Sequence, residues 1–146
     1  MSYRKKINDI INHITICDPA VGSGHSLVSA LNFLIATKQK INVLFYYGTD
    51  ELVDDYSITV ENDVLTVLDG QEKDFKYNKF DVKSQKLQET LFNEKRTIIE
   101  NCLFGVDINP KAVYICQLRL WIELLKNAYY KKEITDDEIK LIENES

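Results

Sequence analysis

Two aspartates and a pair of glycines are the residues with the most chemistry to offer. Asp18 opens the stretch "DPAVGSGHS", Asp18 to Ser26, and Asp107 lies in "GVDINP". A G-x-G turn brings backbone N–H groups close to a ligand, and the residues around it decide which ligand. A Walker phosphate loop is excluded, because Gly24 is followed by His25 where G-K-[ST] is required. A dinucleotide fingerprint, G-x-G-x-x-G, needs a small third residue for close helix packing, and that position is Leu27. A carboxylate directly before the glycines is poorly placed beside a pyrophosphate and suits a ligand with an amino or cationic group. Asp107 ends a second short apolar run, where an acid in an open parallel sheet can accept both hydroxyls of a ribose. Taken singly, the glycines fit a plain structural turn, and Asp107 fits a strand-end or capping carboxylate. Together they describe a site for a nucleoside joined to a charged amino acid, and S-adenosyl-L-methionine meets that description.

Such residues must be held by strand ends and helix starts, and the surrounding pattern supplies both. Ile7, Ile10 and Ile11 give Tyr3 to Asn12 helical spacing. Ile14 to Cys17 reads as a buried strand running into the Asp18-Pro19 turn. Leu27, Ala30, Leu31, Leu34 and Ile35 then mark a helix that ends near Lys38 to Lys40. Strand, glycine loop and helix make the first half of a βαβ unit. Residues 41–80 break the pattern and read as an insertion. "INVLFYY" has the composition of a further strand, and two β-rich runs flank Asn62-Asp63 as in an antiparallel hairpin. A helix over Ser84 to Glu100 follows, then a second buried strand over Leu103 to Asp107, parallel to the first. Asn109 and Pro110 are an N-cap and a first helical residue. The helix they start is expected to run to Tyr130, and its apolar residues wrap more than one face, which predicts cover on two sides. The tail from Lys131 reads as a peripheral or frayed helix.

The two loop stretches also resemble a known family. "ICDPAVGSGHSLVSALN" resembles the first cofactor motif of the amino-group DNA methyltransferases, D-P-x-x-G-S-G followed by an apolar helix. "CLFGVDINPKAVYICQLRLWIELL" resembles their second motif as it stands in the large adenine-specific enzymes, the fused restriction–modification proteins of the Eco57I kind and related phage-defence methyltransferases. The resemblance covers Thr15 to Lys38 and Asn101 to Lys126. It implies an α/β fold, a partial Rossmann-like S-adenosylmethionine-dependent methyltransferase sheet with an inserted β-hairpin. It further implies that Asp18, Pro19, Ala20, Gly22 and Gly24 shape the loop around the methionine half of the cofactor. Asp107 would take the ribose hydroxyls, and Ile108 would lie against the adenine ring. Two positions depart from the family: Ser26 stands where a phenylalanine is common, which predicts a looser pocket, and Val21 replaces a smaller residue or cysteine.

The family's acceptor loop, [N/D]-P-P-[Y/F], has no counterpart, since Pro19 and Pro110 are the only prolines. Transfer to adenine needs that loop to orient the flipped base. The chain is therefore expected to be the cofactor-binding fragment of a site-specific adenine-N6 DNA methyltransferase, with no catalytic residue of its own and no activity alone. With 146 residues, 45% of them hydrophobic, it is long enough for one core. A net charge of -5 predicts little or no DNA binding by this part, DNA being contacted through the rest of the protein. No apolar run approaches the roughly 20 residues of a membrane span. Cys17, Cys102 and Cys116 form no C-x-x-C pair and no metal pattern, and read as buried thiols of a reducing cytoplasm. A cut sheet exposes an apolar edge, which predicts self-association of the fragment. Two rivals are an NAD-type Rossmann fragment, which calls for a small residue at Leu27 and an acid about 20 residues past the loop, and a non-catalytic Rossmann-like docking module, in which Asp107 matters only for stability.

Overall fold

A computed structural model describes residues 2–131. The order of elements is α1 (Tyr3–Ile11), β1 (Ile16–Asp18), α2 (His25–Lys40), β2 (Ser57–Glu61), β3 (Val64–Leu68), α3 (Val82–Asn101), β4 (Leu103–Gly105) and α4 (Pro110–Leu125). The described residues make a mixed α/β arrangement of four helices and two short sheets. β1 and β4 run parallel, with Ile16 opposite Leu103, Cys17 opposite Phe104 and Asp18 opposite Gly105. β2 and β3 form an antiparallel hairpin whose innermost pair is Glu61 and Val64.

The core is where two helical stripes meet. Leu27, Leu31, Leu34 and Ile35 of α2 face Leu87, Leu91 and Ile98 of α3, with Cys102 and Leu103 closing one end. Several of these are wholly inaccessible, and each full burial of a leucine or isoleucine is worth about 1.5–3 kcal/mol. Lys38 is also fully buried, and its ammonium lies 2.6 Å from a Glu94 carboxylate oxygen, which ties α2 to α3.

Five expectations about the elements change. β1 begins at Ile16 and includes Asp18, because His13 and Ile14 are still bonded to the last turn of α1, to the carbonyls of Ile10 and Ile11. β4 stops at Gly105, two residues before Asp107, because beyond Asp18 the backbone that follows β1 has already turned into the glycine loop. "INVLFYY" is no strand: Val43 to Tyr46 are buried, but their backbone groups bond to Lys38, Glu51 and Val53 and make only an isolated bridge between Phe45 and Leu52. α4 ends at Leu125 rather than Tyr130, since glutamines of α3 take the carbonyls beyond it, Gln88 that of Ala128 at 3.1 Å and Gln85 that of Tyr130 at 2.7 Å. Lastly, α4 is covered on one side only: Cys116 is its one buried residue among those described, and Tyr114, Ile115, Trp121, Ile122 and Leu125 are exposed. Cys17 is likewise exposed, on the open face of the two-stranded sheet, whereas Cys102 and Cys116 are buried. The tail expected as a peripheral helix lies, from residue 132 on, outside the described residues.

Candidate functional site

The C-terminal ends of β1 and β4 lie side by side, so the loops that leave them meet. Val106 donates to the carbonyl of Asp18 at 3.1 Å, and Val21 donates to the carbonyl of Val106 at 3.0 Å. The glycine loop then closes on itself, the Gly24 amide donating to the Val21 carbonyl at 2.8 Å, and α2 starts at His25. Gly24 is the N-cap, with φ of +81°, a left-handed conformation that a side chain disfavours. A Cβ there would also stand 2.7 Å from the Cys116 sulfur and 3.0 Å from its Cα. The loop is therefore seated on α4 at this point. At Gly22 the outer side is open, and a Cβ would meet nothing nearer than the Ala20 carbonyl at 4.0 Å.

Both aspartates are tied into this loop. Asp107 accepts from the Gly22 amide at 3.1 Å with one carboxylate oxygen and from the Asn109 amide at 2.9 Å with the other. It thus joins the end of β4, the glycine loop and the start of α4. Asp18 accepts from the Ala20 amide at 3.0 Å and from the hydroxyl of Ser26. The Ser26 hydroxyl, with the Ala20 amide second, holds the Asp18 carboxyl below its ordinary value. Burial, with the Asp18 charge second, pushes the Cys116 thiol up, away from thiolate. Ser23 accepts a long 3.5 Å hydrogen bond from Arg119 of α4.

Asp18, Ala20, Gly22, Gly24 and Asp107 are brought together, and Pro19 follows Asp18 on the exposed rim. Ile108 is fully exposed next to Asp107. His25 does not face the loop's open side; its Nε2 lies 3.1 Å from a carboxylate oxygen of Asp63 at the hairpin tip. Ser26, read from the sequence as a gap where a ring is common, is the residue that fixes Asp18. Val21, the other departure, is buried against Gly105, where a Cβ would come within 2.8 Å of its methyl group. The same Cβ would stand 3.1 Å from Leu27, so Gly105 supplies the room that a small third residue gives in a dinucleotide fingerprint. Sequence reasoning gave Cys116 only as a buried thiol and Asp63 only as a turn residue, and it passed over Gly105, whose one available signal was a glycine inside a buried strand run. Among the described residues, no group of three or more His, Cys, Asp or Glu side chains could hold a metal ion, and no helix is long and apolar enough to cross a membrane.

Comparison with known proteins gives two matches. Residues 101–146, which include β4, Asp107 and α4 but not the glycine loop, match the Eco57I restriction-modification methylase family. Over 119 residues, 82% of the chain, it is 34% identical to a protein of Methanocaldococcus jannaschii provisionally named a type II restriction enzyme and methyltransferase. Together the two matches support a restriction–modification-type methyltransferase fragment. The chain spans 7% of the length of that archaeal relative. No solved structure matches the chain.

Proposed function

We propose that the glycine loop and Asp107 form the S-adenosyl-L-methionine site of an adenine-N6 DNA methyltransferase of a restriction–modification system, within a partial Rossmann-like sheet into which residues 41–80 are inserted. The observation that carries this reading is the clamp between Gly22 and Asp107, with the outer side of Gly22 left open. It makes the loop and the strand-end acid one unit at the ends of two parallel strands, the place where ligands bind in open α/β sheets.

The donor set suits the cofactor. Asp18, kept ionised by Ser26 and Ala20, puts negative charge beside the loop, which favours an amino group or sulfonium and disfavours pyrophosphate. Each Asp107 oxygen accepts one bond from the chain and retains acceptor capacity for a ribose hydroxyl. The exposed Ile108 offers apolar surface to a purine. When bound, S-adenosylmethionine supplies an activated methyl group. The residues of this chain bind and orient it, and none of them holds the acceptor base, for which the [N/D]-P-P-[Y/F] loop is needed. DNA would be contacted through other parts of the whole protein, and this piece alone would not methylate.

Calorimetric titration of the chain and of Asp107→Ala with S-adenosylmethionine, S-adenosylhomocysteine and NAD tests the reading. The two adenosyl sulfur ligands should bind, NAD should not, and the substitution should weaken binding about 10- to 100-fold, as loss of a charge-assisted hydrogen bond does. Tighter binding of NAD would move the site to the nicotinamide class. Binding of none of the three would favour a docking module, and equal affinity with and without the Asp107 carboxylate would remove Asp107 from the site.

A further inference from the structure

The geometry points to Asp63, at the tip of the β2–β3 hairpin, as a positioning residue for the glycine loop. Three side chains of α2 converge on this one residue. His25 Nε2 lies 3.1 Å from Asp63 Oδ2, the Ser29 hydroxyl donates to Asp63 Oδ1 at 2.9 Å, and the Asn32 amide donates to the Asp63 carbonyl at 3.0 Å. Positions 25, 29 and 32 form a single stripe along the first two turns of α2. Asn32 is fully buried, so its contact is shielded from water, while the other two are partly exposed.

The stripe begins where the loop ends. His25 follows Gly24, whose amide closes the loop, and precedes Ser26, whose hydroxyl holds Asp18. Fixing His25 and Ser29 from outside therefore sets the angle at which the loop enters α2. The hairpin can act as a rigid strut because its turn is well made. Asn62 and Asp63 have φ of +50° and +63°, the pair of left-handed residues that a two-residue type I′ turn requires, and both residue types tolerate them. The hairpin thus supports the site without contributing a ligand to it, and Asp63 is the point through which the support passes.

The affinity part of this inference rests on the reading of the loop as a methyl-donor site, and its structural part does not. Asp63→Gly is the informative variant. It leaves Asn-Gly at the tip, the most favoured two-residue turn, and so preserves the hairpin while removing both carboxylate contacts to α2. Asp63→Asn keeps an acceptor for Ser29 and removes the charge opposite His25. Affinity for S-adenosylhomocysteine should fall about 3- to 10-fold in Asp63→Gly and less in Asp63→Asn, the size expected for one or two partly exposed polar contacts. Amide hydrogen exchange should quicken at residues 22–29 and stay unchanged across residues 57–68. Unchanged loop exchange together with unchanged affinity would overturn the inference, and faster exchange throughout the hairpin would reduce Asp63 to a turn residue. If the unsubstituted chain binds no S-adenosylhomocysteine, the methyl-donor reading fails, and the exchange pattern alone judges the strut.

Discussion

Two glycines two residues apart carry different burdens. Both have positive φ, but only Gly24 is pressed against a neighbour, with Cys116 occupying the space of its missing side chain. Gly24→Ala combines left-handed strain of about 1 kcal/mol with overpacking of about 1–3 kcal/mol, so it should destabilise the chain by about 2–4 kcal/mol in urea denaturation. Gly22→Ala meets open space and should lose only about 1 kcal/mol. Equal losses at the two positions would mean that the loop does not rest on α4. The sequence carried the residues of this loop well, because G-x-G and a preceding acid are local patterns. It did not carry their partners. Nothing near Ser26 in the chain shows that it bonds Asp18, and nothing near Asp63 shows that it faces residues 25, 29 and 32, since those pairings are made by the fold.

Among the elements, the helices and the hairpin were the legible ones, and the short strands were misplaced by about two residues. A three-residue strand has too little alternation to locate its ends, and its bounds follow from a register set across 87 positions, Ile16 against Leu103. Buried charge is illegible for the same reason, and the contact between α3 and α4 illustrates it. Lys95 of α3 is 2% exposed. Its ammonium donates to the backbone carbonyl of Glu123 at 2.9 Å and stays 3.6 Å from that residue's carboxylate, which Lys126 engages at 2.5 Å. Burial outweighs the Glu123 attraction and pushes Lys95 down from 10.5 to about 8. A folded value below the unfolded one means that the unfolded chain binds more protons between those two values, so stability rises with pH there. Cys102 and Cys116, whose thiols burial pushes up, act in the opposite sense over the same range, so the Lys95 contribution is read as a difference from Lys95→Met. In denaturation followed between about pH 8 and about pH 9.5, the unsubstituted chain should gain about 2 kcal/mol relative to that variant. Lys95→Met should be more stable at pH 7 by about 1–2 kcal/mol, Glu123 keeping Lys126 as its partner. A difference that stays constant across this range would show that water reaches Lys95.

For the molecule as a whole, the largest departure from expectation is the outer face of α4. Its apolar residues, read in sequence as the sign of a helix covered on two sides, are covered on one. Tyr114, Ile115, Trp121, Ile122 and Leu125 are each about half or more exposed, and Phe104 and Val106 are exposed as well. Periodicity shows that a face is apolar and cannot say what covers it. A surface of this kind is uncommon on a monomer and drives association. The opposing term is a net charge of -5, which repels a second copy and is screened over about 10 Å at 0.1 M salt. Association through the α4 face should therefore strengthen with both protein concentration and salt, the reverse of an ion-paired interface. Sedimentation of the chain across a salt series measures this. Trp121→Glu, which places a charge in the middle of the face and touches nothing buried, should return the chain to monomer without loss of thermal stability. A monomer at every concentration and salt would show that the exposed face does not associate, and an oligomer unaffected by Trp121→Glu would place the contact elsewhere, at the open edges of β1 and β4.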